Sequence, residues 1–145
     1  MTLEHKKFVY SDSLKQLEQN TDENIPATLL LSEKFIYADS NDLIKFLKNN
    51  CIKWIIVIGN DSSVAEENLD FIIETSLDDN FIDIVTTNFS YSSNSSNDIE
   101  DLIFEFLITS KLDYEKYQFL GIFDFQEAKE INIINLINSN LKNAK

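Results

Sequence analysis

From residue 27 onward, short apolar runs alternate with segments whose apolar residues recur at helical spacing. Ala27-Thr28-Leu29-Leu30-Leu31 is an apolar run bounded by Ser32 and Glu33. Ile25-Pro26 leads into it extended, because the residue before a proline is pushed out of helical φ/ψ. Trp54-Ile55-Ile56-Val57-Ile58 is the clearest strand, ended by Gly59. It is continuous rather than alternating, as expected when both faces of a strand are covered. Two further strands are predicted at Ile82–Thr86 and Phe119–Phe123.

Helices fill the gaps. Ser40 can cap one that carries Leu43, Ile44, Phe46 and Leu47. Asp61, Ser62 and Ser63 are cap candidates for a second, with Val64, Leu69, Ile72, Ile73 and Leu77 on one side and Glu66, Glu67, Asp70 and Glu74 on the other. Ser96 or Asn97 caps a third, which carries Ile99, Leu102, Ile103, Phe106 and Leu107. The last, predicted from Phe125 to Leu141, buries Ala128, Ile131, Ile134, Ile137 and Leu141, and Asp124 can cap it. Ahead of all this, Phe8-Val9-Tyr10 is β-prone and Leu14 to Gln19 weakly helical, so residues 1–26 form an N-terminal arm or an edge strand.

A fourfold alternation of strand and helix argues an α/β fold: a single three-layer domain over residues 1–145, with a mostly parallel sheet of four strands, or five, and helices on both faces. Right-handed crossovers limit the topology. A flavodoxin-like order, 2-1-3-4 for the four core strands, would put the second and third helices on one face and the first and last on the other.

Charge sharpens this picture. Between Lys53 and Lys111 there is no basic residue, whereas the stretch holds Asp61, Glu66, Glu67, Asp70, Glu74, Asp78, Asp79, Asp83, Asp98, Glu100, Asp101 and Glu105. These acids set the stretch at −12, against −13 for the whole chain. In the expected order they concentrate on one face. All 12 basic residues are lysine, and the excess of lysine, asparagine and isoleucine fits A+T-rich bacterial coding, which makes a long lysine-free run depart from the local bias. Without arginine, bidentate capture of phosphate or carboxylate loses its usual tool. Direct nucleic-acid binding is therefore not expected, and the acidic face is either a solvated surface that keeps the chain soluble and monomeric or a docking surface for a basic protein partner.

Other chemistry is thinly represented. Two isolated glycines, Gly59 and Gly121, build neither a P-loop nor a dinucleotide fingerprint. The lone Cys51 excludes an internal disulfide and fits a reducing compartment, and His5, the only histidine, lies far from it in sequence. No signal-peptide run stands in Met1–Tyr10 and no stretch approaches a membrane span, so the chain is expected to be cytoplasmic, with no membrane association. At the C-terminal strand ends, where open α/β sheets place ligands, Ser32, Glu33, Asn60, Asp61, Thr86, Thr87 and Asp124 could gather around a divalent cation. Capping and strand roles account for them more simply, so no metal, no cofactor and no enzymatic activity are expected. Trp54 is expected in the core. Phe89 and Tyr91 are either an exposed aromatic anchor for a partner or fold back over the sheet edge.

Gly59-Asn60-Asp61-Ser62, the acidic helix with Glu67 and Asp70, and Asp83-Ile84-Val85-Thr86-Thr87 together resemble a small bacterial α/β family of unknown function. Its pattern is a strand, a G-x-D-C/S turn, an acidic helix and a strand ending in Thr-Thr, matched over Phe35–Ile108. Members often carry Trp-His after the threonines where this chain has Asn88-Phe89. The resemblance implies the fold and no activity. A looser similarity is to bacterial toxin-immunity proteins, which are small, acidic and free of catalytic motifs. The expected function is an acidic protein-binding or inhibitory module of immunity type. Its binding residues are Asp61, Glu66, Glu67, Asp70, Glu74, Phe89, Tyr91, Asp98, Asp101 and Glu105. Two other readings stand beside it: a small-ligand or metal-binding α/β protein using the strand ends, and a structural subunit of a larger assembly. Oligomeric state is left open.

Overall fold

The computed structural model describes residues 7–38, 40–76, 83–91, 96–111 and 114–142. Expectations placed on His5, Leu77, Asp78, Asp79, Ile82 and the serine/asparagine loop at 92–95 lie outside the described residues, as do the capping side chains of Ser96 and Asn97. The described elements run β1 (Phe8–Ser11), α1 (Leu14–Gln19), β2 (Ala27–Ser32), α2 (Lys34–Ala38), α3 (Ser40–Asn49), β3 (Ile52–Gly59), α4 (Ser62–Ser76), β4 (Val85–Ser90), α5 (Ser96–Leu107), β5 (Gln118–Ile122) and α6 (Ala128–Lys142). All strand pairings are parallel, in the order β1-β5-β2-β3-β4.

Strand polarity accounts for this order. Every residue of β2 is buried, as are nearly all of β5 and most of β3, so these three sit in the middle of the sheet under helices on both faces. Val85-Thr86-Thr87-Asn88-Phe89-Ser90 contains no fully buried residue and takes one edge, and the short β1 takes the other. The expected flavodoxin-like order is thereby corrected. It would have exposed the isoleucine-rich β3 at an edge and left β5 half uncovered.

The new order also moves the helices. From β2 through β3 to β4 the chain steps in one direction, so right-handed crossovers put α2, α3 and α4 on one face, and the step from β1 over to β2 puts α1 there too. From β4 it steps back across the sheet to β5, which sends α5 to the opposite face, where α6 joins it. Two apolar clusters record this: Leu29, Leu31, Ile55, Val57, Leu120 and Ile122 pack beneath α1–α4, and Leu30, Ile56, Ile58 and Phe119 beneath α5 and α6. Truncating one of these fully buried leucines, such as Leu30, to alanine would cost about 2–5 kcal/mol. The expectation that the two acidic helices share a face is overturned, since α4 and α5 lie on opposite faces with β4 between them.

Two boundaries shift. β4 begins at Val85 rather than Ile82 and runs on to Ser90, because at an edge the polar Asn88 and Ser90 keep their side chains partly in water while the main chain pairs with β3. The last helix begins at Ala128 rather than Phe125. Asp124 Oδ1 accepts from the Gln126 N–H at 3.0 Å and so organises the turn, whereas Glu127 heads the helix, its Oε1 accepting from the Lys129 N–H at 3.2 Å. No helix among the described residues is long and apolar enough to cross a membrane.

Candidate functional site

Side chains alternate across β4, and each face of the strand meets a different acidic helix. Thr86 and Asn88 point toward α4: Thr86 Oγ1 donates to Asp70 Oδ1 at 2.7 Å and Asn88 Nδ2 to Glu66 Oε1 at 2.6 Å. The buried Ser62 adds a hydroxyl to Asn88 Oδ1 at 3.2 Å. Thr87 points the other way and donates its hydroxyl to Glu105 Oε2 on α5, the same oxygen that receives the Trp54 indole N–H at 3.0 Å. Carboxylates anchored by hydrogen bonds thus stand on both sides of one exposed strand.

Beside β4 on the α5 side lies a cleft of about 290 Å³, lined by Asn88, Phe89, Ser90, Asp98, Asp101, Leu102 and Glu105. Of the residues expected to bind, the fold therefore gathers Glu66, Asp70, Phe89, Asp98, Asp101 and Glu105 around β4. It leaves three of the others elsewhere. Glu67 and Glu74 are exposed on the outer side of α4, in the stripe of Val64 and Phe71. Asp61 sits at the head of α4, its N–H donating to Glu33 Oε1 at 3.1 Å. Tyr91 is 5% exposed, so it is no aromatic anchor: the chain turns inward after β4, with the Tyr91 N–H bonded to the Gly59 carbonyl and the Lys129 ammonium 5.8 Å from its ring. Phe89 is half-buried against the α5–α6 core. Trp54 is likewise only partly covered, packing on that core with its N–H turned to Glu105.

The strand-end rim is rearranged as well. Thr86 and Thr87 lie within β4 rather than at its end, because the strand runs on to Ser90. The sheet's switch point falls between the neighbouring strands β2 and β5, whose following helices go to opposite faces. It is occupied by Glu130, which the sequence reading passed over. Its Oε2 accepts from the Ser32 hydroxyl at 2.9 Å and its Oε1 from the Asp124 N–H at 2.8 Å. Burial pushes the Glu130 carboxyl above the usual carboxylate range, against the lowering effect of these hydrogen bonds. Beside it the Tyr91 hydroxyl is buried, without a hydrogen bond of ordinary geometry among the described residues, and burial together with the adjacent Glu130 carboxyl raises its pKa strongly. Lys34 Nζ lies 3.8 Å from Asp124 Oδ1 at the rim. Among the described residues, no group of three or more His, Cys, Asp or Glu side chains is placed to hold a metal ion. A signal for Glu130 was present: it stands in register with Ile134, Ile137 and Leu141, an acid on the apolar stripe of α6.

A different surface opens between α5 and α6, the two helices on that face of the sheet. A groove of about 540 Å³ is lined by Ile99, Ile103, Phe104, Leu107 and Leu136 among others, with Phe104 60% exposed. No protein-family model, no curated protein and no solved structure matches this chain.

Proposed function

We propose that the chain is an acidic protein-binding or inhibitory module, immunity-protein-like in kind, that docks a basic partner protein along its β4 edge. The observation that supports this reading is the placement of Glu66 and Asp70 on one side of β4 and of Asp98, Asp101 and Glu105 on the other, within a stretch that carries no lysine. A cationic side chain approaching the strand meets negative potential from both faces of the sheet at once, so encounter is steered electrostatically and weakens as salt screens the charges. The same field repels nucleic-acid phosphates. The reading takes the protein to be cytoplasmic, in keeping with a single unpaired cysteine, Cys51.

The test removes charge and keeps shape. Glu66→Gln, Asp70→Asn, Asp98→Asn, Asp101→Asn and Glu105→Gln are combined, and affinity for the partner captured from native cells is measured calorimetrically at low and high salt. The combined variant is expected to lose roughly tenfold or more in affinity and most of its salt dependence. Glu67→Gln with Glu74→Gln, on the outer side of α4, and Phe104→Gln, in the apolar groove, leave binding essentially unchanged. Undiminished, equally salt-sensitive binding by the combined variant ends the reading.

A further inference from the structure

Within its described residues, β4 lacks most of the features that keep sheet edges from pairing. Edges are usually blunted by lysine, proline, a bulge or brevity. β4 has six residues with neither lysine nor proline, and its register with β3 runs unbroken from Trp54↔Val85 to Gly59↔Ser90. The opposite edge, β1, is only four residues long and follows Lys6 and Lys7. Main-chain direction along β4 can be read from its end. The Tyr91 N–H donates to the Gly59 carbonyl at 3.0 Å, and in a parallel strand alternate residues turn their N–H and C=O to the same side. Val85, Thr87 and Phe89 therefore face β3, and Thr86 and Asn88 turn their main-chain groups outward. Among the described residues nothing pairs with the outward N–H groups of Thr86 and Asn88.

We propose that β4 is a docking strand: an extended, lysine-bearing segment of the partner protein adds to it as a sixth strand. This rests on the acidic-module reading and supplies its mode of binding. Main-chain bonds to Thr86 and Asn88 hold the added strand. Its side chains alternate between the two faces of the sheet, so lysines on one face reach Glu66 and Asp70 and those on the other reach Asp98, Asp101 and Glu105. Acids on both faces of the sheet suit a strand, whereas a docked helix would present its cations to one. A second copy of this chain is disfavoured as occupant, because pairing β4 with β4 sets these acids against each other in a protein of net charge −13.

Strand addition is read at the main chain. The probe is a short peptide, Thr-Lys-Lys-Val-Thr-Lys-Lys-Val-Thr, with lysines on both strand faces, and its control is the same peptide N-methylated at every residue, which keeps the charge and leaves neither edge able to pair. On binding of the probe, hydrogen exchange followed by NMR is expected to slow roughly tenfold or more at the Thr86 and Asn88 amides, and to change little at Val85, Thr87 and Phe89, which are already paired. The N-methylated peptide leaves Thr86 and Asn88 exchanging as in the free protein. Asn88→Pro, which removes an outward N–H at an edge position, abolishes the protection, and Asn88→Ala, which removes only the side chain, retains it. Three results overturn the proposal: no saturable binding of the probe, binding without protection of Thr86 and Asn88, or equal binding of the N-methylated form. If the partner still loses affinity for the charge-neutralised variant in those cases, the acidic-module reading survives and only strand addition falls. If it does not, both fall.

Discussion

Ser32, at the end of β2, donates its hydroxyl to the carboxyl of Glu130 on α6 at 2.9 Å, and both side chains are buried. Burial raises the Glu130 pKa above the usual carboxylate range, so the folded protein holds this proton to a higher pH than the unfolded chain does. Where the native state binds more protons than the unfolded state, stability falls as pH rises. Glu130 therefore contributes most below its unfolded pKa, near 4.3, and the contribution is lost as pH climbs from there through the raised native value. Glu130→Gln, which stays neutral, is expected to be more stable than the parent at neutral pH, by on the order of 1 kcal/mol. The advantage vanishes in acid. Paired denaturant titrations across pH check this, and a difference independent of pH would contradict it.

Among the described residues the buried Tyr91 hydroxyl makes no hydrogen bond of ordinary geometry, although it lies beside the Glu130 carboxyl, and so poorly satisfied a hydroxyl contributes little over having none. Tyr91→Phe is expected to leave stability unchanged or raise it by about 1 kcal/mol. The Lys129 ammonium keeps an aromatic face, so a loss on thermal or chemical unfolding would place an unrecognised bond at this oxygen.

The two glycines separate a rigid neighbour from a pliable one. A Cβ at Gly121 would come within 2.2 Å of the ring of Phe123, which is fully buried, and one at Gly59 would meet the Glu33 carboxyl at 1.8 Å. Glu33 can swing into solvent, losing its bond to the Asp61 N–H, whereas Phe123 has nowhere to go. Gly121→Ala should cost about 1–3 kcal/mol, as overpacking does, and Gly59→Ala about 1–3 kcal/mol as well, because an L residue at φ 159° is strained even after Glu33 has swung away. A negligible loss at Gly59 in denaturant titration would show that the backbone there relaxes to a conformation open to any residue.

Glu105 serves two donors, Trp54 and Thr87, with one oxygen. Glu105→Ala leaves both without an acceptor and is expected to cost about 1–3 kcal/mol, whereas Glu105→Gln retains an acceptor and costs less. Trp54 is the only tryptophan, so the native fluorescence maximum reports the change directly. An unshifted spectrum in the alanine variant would mean that the indole bond does not persist in solution.

The fold class was legible because continuous apolar runs such as Leu29-Leu30-Leu31 and Ile55-Ile56-Val57-Ile58 have one structural use, as strands covered on both faces. The edge strand at Phe8–Ser11 and the short helix at Leu14–Gln19 were also visible. Strand order was misjudged although a clue lay in the polar Thr86, Thr87 and Asn88, which fit an edge better than an interior. The helix faces followed that error. Glu130 and the buried Tyr91 hydroxyl beside it were not foreseen, since each depends on segments distant in sequence: Ser32 and Glu130 meet across 98 residues. Which acids would gather at β4 was equally nonlocal, because Glu66 and Glu67 are neighbours in the chain yet only Glu66 reaches Asn88.

The order β1-β5-β2-β3-β4 also bears on how a nascent chain acquires this sheet. On the ribosome, β2, β3 and β4 can zip together as they emerge, since β3 pairs with β2 and β4 with β3. β1 is synthesised first and has no neighbour until β5 follows more than a hundred residues later and inserts between β1 and β2. Until then one flank of β2, the most thoroughly buried strand of the finished protein, stays bare. Closing so long a loop is slow, and an apolar strand edge left open in the meantime is a template for wrong pairing. Chains interrupted before Gln118 should thus be the aggregation-prone species, and the last strand acts as the keystone that makes the sheet safe to release.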